Sequence, residues 1–494
     1  MNVSGFSEEL GKRIHERGIA VYELAKQSGV DRTLIHKMTK GERIPAQQSV
    51  VEALAGTLML STDQRENLLE SYRAAKMGEE VYRRRRAVLD FYNGFPPSAS
   101  SGIIQEDETA PSYILPQEAA VRGKTDVGRL VLAVLEEEAA LPEGRVRIFA
   151  QPDCTVLFDL LAAVAARRNH LTIDHIMRFE NSMEGKNPLY NLRCLSAVMP
   201  VLASGCLYRP RYFYGPAASW GTEDGILPYV VATGRYVVRL SHDASSAVMM
   251  RNQASLALYQ ELFEELMEKA VPLAGVFRTP MEQIHYITHM YDRFDSMNSD
   301  LAAQPCLLLF VGQDMVRRYV DPVFLKAPED MNAILSYMDS DAFGRRLKNL
   351  TRVYFSREGI EEFLTTGRLH ELPDYYYAPL AVPDRYRLLR GMYEAILAGT
   401  YRAVMVNRKK LRIPNNLGTY FFQNGGVGFI YTGSDRQYTA VAVSETSIVT
   451  AIQDFLEYLP ESNLVETQET MMEFLKGKLA EEPQEKPVNL FDAG

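Results

Sequence analysis

Residues Ala20 to Met38 read A-V-Y-E-L-A-K-Q-S-G-V-D-R-T-L-I-H-K-M, two short amphipathic runs broken by one Gly. That break constrains the N-terminal fold more than any other feature. Ala25 is small where two helices would approach most closely. Gly29 tolerates the positive φ that ends the first helix. Asp31 stands where it can cap the second. Val30, Ile35 and Met38 then form an inward face, with Leu24 packing from the first helix. The 3.6-residue period leaves Arg32, Thr33, His36 and Lys37 side by side on the outward face.

The flanking sequence extends the pattern over about residues 7–75. E-E-L-G-K-R-I-H-E-R-G precedes it, and G-E-R-I-P (Gly41–Pro45) follows as a Gly-x-Arg-x-Pro turn. Q-S-V-V-E-A-L-A-G-T-L and L-S-T-D-Q-R-E-N-L-L complete the series. In this order the pieces resemble the Cro/lambda-repressor (XRE) type of helix-turn-helix. The resemblance implies a lambda-repressor-like α domain that binds double-stranded DNA as a homodimer. It assigns base-edge contacts to Arg32, Thr33, His36 and Lys37, and phosphate contacts to Lys40 and Arg43. One position departs from the family: Val21 stands where a phosphate-binding Gln is common.

Charge is distributed in keeping with this. The whole chain carries a net −9, yet residues 1–92 hold 15 Lys+Arg against 13 Asp+Glu. The remaining 402 residues hold 39 against 50. A mildly basic head on an acidic body suits a nucleic-acid-binding module joined to a unit that avoids phosphate. The quartet Arg83–Arg86 reads equally as extra phosphate contacts or as a solvated helix face neutralised by Glu79, Glu80 and Asp90. Four scattered cysteines give a reduced, intracellular pattern. The N-terminus lacks signal-peptide order, and no apolar run is long enough to span a bilayer. A cytoplasmic protein without membrane contact is expected.

Asn93 to Pro111 is rich in Gly, Pro, Ser and acid, and reads as a linker. We therefore expect a head at 1–92, a linker at 93–116, an α/β body at 117–481 and a flexible tail at 482–494. Within the body, strands at Arg145–Ala150 and Leu171–Phe179 alternate with helices. Tyr229–Leu240 and Gly418–Tyr431 read as hairpins. Helices are expected near 252–270 and 280–296, then a buried strand at Cys306–Val311. A second series begins at Thr351, with Ser356 capping a helix that stops at Gly367. Beta-then-alpha order indicates a large mixed α/β domain, divisible into lobes at 117–345 and 346–481.

No catalytic signature emerges from the body. Gly123-Lys124-Thr125 resembles the end of a phosphate loop, but Glu118 replaces its upstream Gly. His285 and His289 share a helical face without the Glu or third ligand of a metal site. Two aromatic clusters remain, Tyr208–Gly215 and Asp374–Leu380. Tyr208, Arg209, Arg211, Tyr212, Tyr375 and Tyr376 suit either an effector pocket or packing between sheet and helix.

The reading that follows is a sequence-specific transcriptional regulator, not an enzyme, with no cofactor or metal. Its body would sense a small-molecule effector or drive oligomerisation. The alternative is an enzyme, or a phage or defence interaction protein, carrying an accessory helix-turn-helix.

Overall fold

The computed structural model describes residues 5–95, 115–168, 170–181, 189–215, 226–278, 297–321, 352–372, 374–422, 425–432 and 438–483, with 282, 332, 335 and 336 singly. The chain divides into two compact units, Met1–Val88 and Leu89–Gly494. An N-terminal helical region is thus followed by a mixed α/β body.

The head contains α1 (Gly5–Arg17), α2 (Val21–Ser28), α3 (Arg32–Thr39), α4 (Gln48–Thr57) and α5 (Thr62–Met77). Phe6, Leu10, Leu24, Ile35, Met38, Val51, Leu54 and Leu68 form its fully enclosed core. Ser61 and Gln64 make a reciprocal capping box that starts α5. The Tyr72 hydroxyl donates to the Pro45 carbonyl at 3.1 Å, tying α5 to the turn after α3.

Helix α6 (Glu79–Gly94) carries the chain across the division. Its last turn belongs to the body: Phe91 packs on Phe429 with centroids 5.6 Å apart. Tyr92 is buried and donates to Thr419 Oγ1 at 3.3 Å. The division therefore falls before residue 92, because Phe91 and Tyr92 bury their rings in the α/β core. Most of the expected linker, residues 96–114, lies outside the described residues.

The body holds two mixed sheets. The first has the order β1-β7-β6-β5-β2-β3-β4-β8. Its strands are β1 (Glu118–Arg122), β2 (Arg145–Phe149), β3 (Thr172–Phe179), β4 (Leu207–Tyr214), β5 (Tyr229–Ala232), β6 (Val237–Leu240), β7 (Ser246–Met250) and β8 (Val271–Pro272). The second has the order β12-β11-β10-β13-β14-β15-β9. These are β9 (Ala274–Phe277), β10 (Met297–Ala302), β11 (Arg352–Phe355), β12 (Ala403–Met405), β13 (Leu417–Phe422), β14 (Gly426–Thr432) and β15 (Tyr438–Val443).

Read from its other edge, the second sheet repeats the first strand for strand. In each, three parallel strands (β2-β3-β4, β10-β11-β12) continue into three antiparallel ones (β5-β6-β7, β13-β14-β15). The earliest strand then pairs with the last, β1 with β7 and β9 with β15. Strand β8 is the first sheet's addition. The body is two lobes of one topology, and the sheets separate them near Leu273 rather than near residue 345. The repeat lives in strand order and direction, which side-chain identity need not preserve, so no sequence period reveals it.

Two local expectations change. Cys306–Val311 forms a 3-10 turn at Leu308–Phe310, not a strand. An apolar run of this length fits a buried turn as well as a buried strand. The strand is instead M-N-S-D-L-A at β10, polar in sequence but central in its sheet. The expected helix near 280–296 and the pair His285/His289 lie outside the described residues.

Candidate nucleic-acid interface

The sharp turn between α2 and α3 is fixed by three local devices. Gly29 adopts φ +70° and its amide donates to the Ala25 carbonyl at 3.0 Å. Ser28 Oγ donates to the Leu24 carbonyl at 2.6 Å and accepts the Val30 amide at 3.3 Å. Asp31 Oδ1 accepts the Leu34 amide at 2.9 Å, capping α3. At the other end, Gly41 takes φ +75° and the Lys37 carbonyl accepts the Glu42 amide at 2.9 Å.

This geometry sorts the two faces of α3. Ile35 and Met38 are wholly enclosed in the head core. Arg32, Thr33, His36 and Lys37 are exposed, and so are Lys40 and Arg43 beyond the helix. Among the described residues no ion pair engages Arg32, Lys37, Lys40 or Arg43. Val21 is partly buried against the head core, a packing role in place of an amide contact. Arg83 pairs with Glu79, and Arg86 with Glu70 at 2.7 Å, so these two members of the quartet face acids.

The candidate effector residues sit elsewhere, on β4 and beside the second lobe. Tyr208 is buried and its hydroxyl meets His175 Nδ1 at 2.6 Å. Arg209 clasps Asp174 at 2.6 and 2.9 Å. Arg211 donates to the carbonyls of Met267 and Ala270, both at 3.0 Å. Tyr212 stacks on Phe179 with centroids 4.7 Å apart. These groups bind the first sheet to its neighbours. Tyr376 packs on the second lobe's core, and its carbonyl accepts the Asp321 amide at 2.9 Å. The two clusters thus serve different lobes. The Tyr375 side chain lies outside the described ones.

Sequence reasoning missed a buried polar group in the second lobe. Asp300, Cys306 and Glu371 each offer a ligand atom, all within 4.8 Å of one another. Tyr420 donates to Glu371 Oε1 at 3.2 Å. Two carboxylates and a thiol so placed are a donor set for a divalent cation such as zinc. Asp300 and Glu371 lie 71 residues apart, so no spacing motif announces them. Among the described residues, no helix is long and apolar enough to cross a membrane.

No family model matches the chain. A 154-residue stretch is 30% identical to the RNA-directed RNA polymerase VP2 of Lymantria dispar cypovirus 1 (isolate Rao), covering 28% of this chain and 12% of that protein. The chain therefore spans about an eighth of that relative's length. Three of the solved structures that align do so at low similarity. TrmBL2, an archaeal chromatin protein whose structure shows a novel mode of DNA binding, matches with TM-score 0.23 and 14% identity over 54% of this chain and 99% of its own. Polyphosphate kinase from Porphyromonas gingivalis matches with TM-score 0.22 and 14% identity over 78% and 59%. Phosphatidylserine synthase from Haemophilus influenzae Rd KW20 gives 0.22 and 9% over 81% and 96%.

The partial match to a polymerase, an enzyme, overturns the expectation of a non-enzymatic protein. That expectation leaned on missing motifs, and a motif search finds only chemistry whose signature is already familiar.

Proposed function

We propose that the chain is an α/β protein of enzyme-like kind carrying an accessory helix-turn-helix of Cro/lambda-repressor type. The head binds duplex DNA sequence-specifically and thereby places the body at chosen sites. The observation that carries this reading is the exposed face of α3: four polar or basic side chains opposite the enclosed Ile35 and Met38. Arg32 is suited to pair bidentately with guanine, Thr33 to meet a base edge or thymine methyl, and Lys40 and Arg43 to hold phosphates. One reader makes few base contacts, so two heads acting as a homodimer would read half-sites about 34 Å apart.

Binding within a promoter would make the chain a transcriptional regulator. The partial polymerase resemblance supports an enzyme of nucleic-acid chemistry brought to DNA by its head. Selection of bound duplexes from a random pool by the full chain tests the reading. Enrichment of a pseudo-palindromic motif is expected; a pool that stays random after several rounds overturns it.

A further inference from the structure

The acidic body contains stretches of opposite character, and one of them follows β12. From Ala395 to Ser434 no Asp or Glu occurs, while Arg402, Arg408, Lys409, Lys410 and Arg412 do. Four of these five fall within Arg408–Arg412, directly after β12. The fold places this run at the carboxyl end of the parallel strands β10–β12, the side where ligands meet open α/β sheets.

The loop is built, not loose. Asn407 Oδ1 accepts the Lys409 amide at 3.1 Å, and its carbonyl accepts the amides of Lys410 and Leu411, both at 2.9 Å. Leu411 and Ile413 are enclosed and anchor the loop, which leaves Arg408, Lys409, Lys410 and Arg412 exposed. Asn93 grips it from α6: the Arg412 amide donates to Asn93 Oδ1 at 2.7 Å. Acids only partly offset this charge. Arg408 reaches Glu358 at 4.0 Å, and Lys410 Nζ donates to the Asn463 carbonyl at 3.0 Å. No ion pair among the described residues engages Lys409 or Arg412.

We propose that this loop is a second nucleic-acid contact, in which Lys409 and Arg412 hold backbone phosphates of duplex DNA. The inference rests on the DNA-binding reading above and adds a contact from the body. Exposed cations on a fixed turn suit a polyanion, and their contacts are indifferent to sequence because phosphates carry none.

Salt dependence tests this on the full chain. Each phosphate contact contributes about 0.9 to the slope of log K against log salt on duplex DNA. The double variant Lys409→Ala/Arg412→Ala is expected to flatten that slope by about 1.8, equally on selected and random duplexes. Arg122→Ala/Lys124→Ala removes the same charge from another exposed site and should leave the slope unchanged. An unaltered slope in the loop variant, or equal flattening in both variants, overturns the proposal. So does flattening seen with single-stranded RNA but not with duplex DNA. Failure of the head reading is distinct: Arg32→Ala would then leave sequence preference intact, whatever the loop does.

Discussion

The Tyr208 hydroxyl donates to Nδ1 of His175 across 2.6 Å, joining two parallel strands inside the first lobe. On the far side of the ring, Nε2 donates to the Ala150 carbonyl at 2.9 Å. Both imidazole nitrogens are thereby satisfied in the neutral form. Burial holds the pKa of His175 down to about 4. Protonating Nδ1 would also remove the acceptor that Tyr208 uses.

A pH dependence follows. In the unfolded chain the imidazole takes up a proton near its ordinary value of about 6.5. The folded protein resists protonation until about 4. The contribution is complete above the unfolded value and is lost as pH falls from about 6.5 toward 4. Urea midpoints measured at neutral pH and near pH 4.5 should fall further in the wild type than in His175→Gln. An equal fall in both would remove His175 from this role.

Asp174 is fully buried and bridges Arg209 and Arg145, the latter through Nε at 2.7 Å. The two arginine side chains remain 45% and 35% exposed, so water screens part of each interaction. Asp174→Asn should cost about 1–3 kcal/mol in chemical denaturation, below the ~3–5 kcal/mol of a fully enclosed pair. Indistinguishable midpoints would mean that the bridge contributes no net stability.

Gly359 lies in the first turn of the helix Arg357–Thr366, directly against Ala303 just past the end of β10. A Cβ there would stand 1.8 Å from the Ala303 carbonyl oxygen, a backbone atom that cannot rotate away. Gly359→Ala should destabilise the body by about 3 kcal/mol, near the upper end for overpacking. Unchanged thermal stability would show that the helix shifts without cost.

In the head, Asp31→Ala removes the cap on α3 and should cost about 1 kcal/mol. Local hydrogen exchange at the Leu34 amide checks this, since that amide loses its acceptor. Faster exchange confined to the first turn of α3 is expected, and unaltered protection would argue that another group caps the helix.

What sequence conveyed depended on how local the cause was. Gly29, Asp31 and the spacing of Leu24, Ile35 and Met38 act within one helical turn or two, so the head's faces could be read directly. Ser356 and Gly367 likewise mark their helix, accepting the Gly359 amide at 3.1 Å and taking φ +67° respectively. Strand β10 was hidden, because Asn298, Ser299 and Asp300 look like a loop until β11 and β13 flank them. The aromatic cluster at Tyr208–Tyr214 suits either a pocket or packing in sequence; it forms strand β4, whose arginines meet Asp174 and backbone carbonyls contributed from distant sequence. Asp300, Cys306 and Glu371 converge only through tertiary structure.

The central claim is that α3 reads bases, and comparing wild type with Arg32→Ala on the selected duplex and on random duplex tests it most directly. A lost bidentate contact to guanine is worth about 1–3 kcal/mol. Affinity for the selected site should therefore fall by at least about fivefold while affinity for random duplex changes little. Equal losses on both duplexes, or none on either, would contradict base reading by this helix.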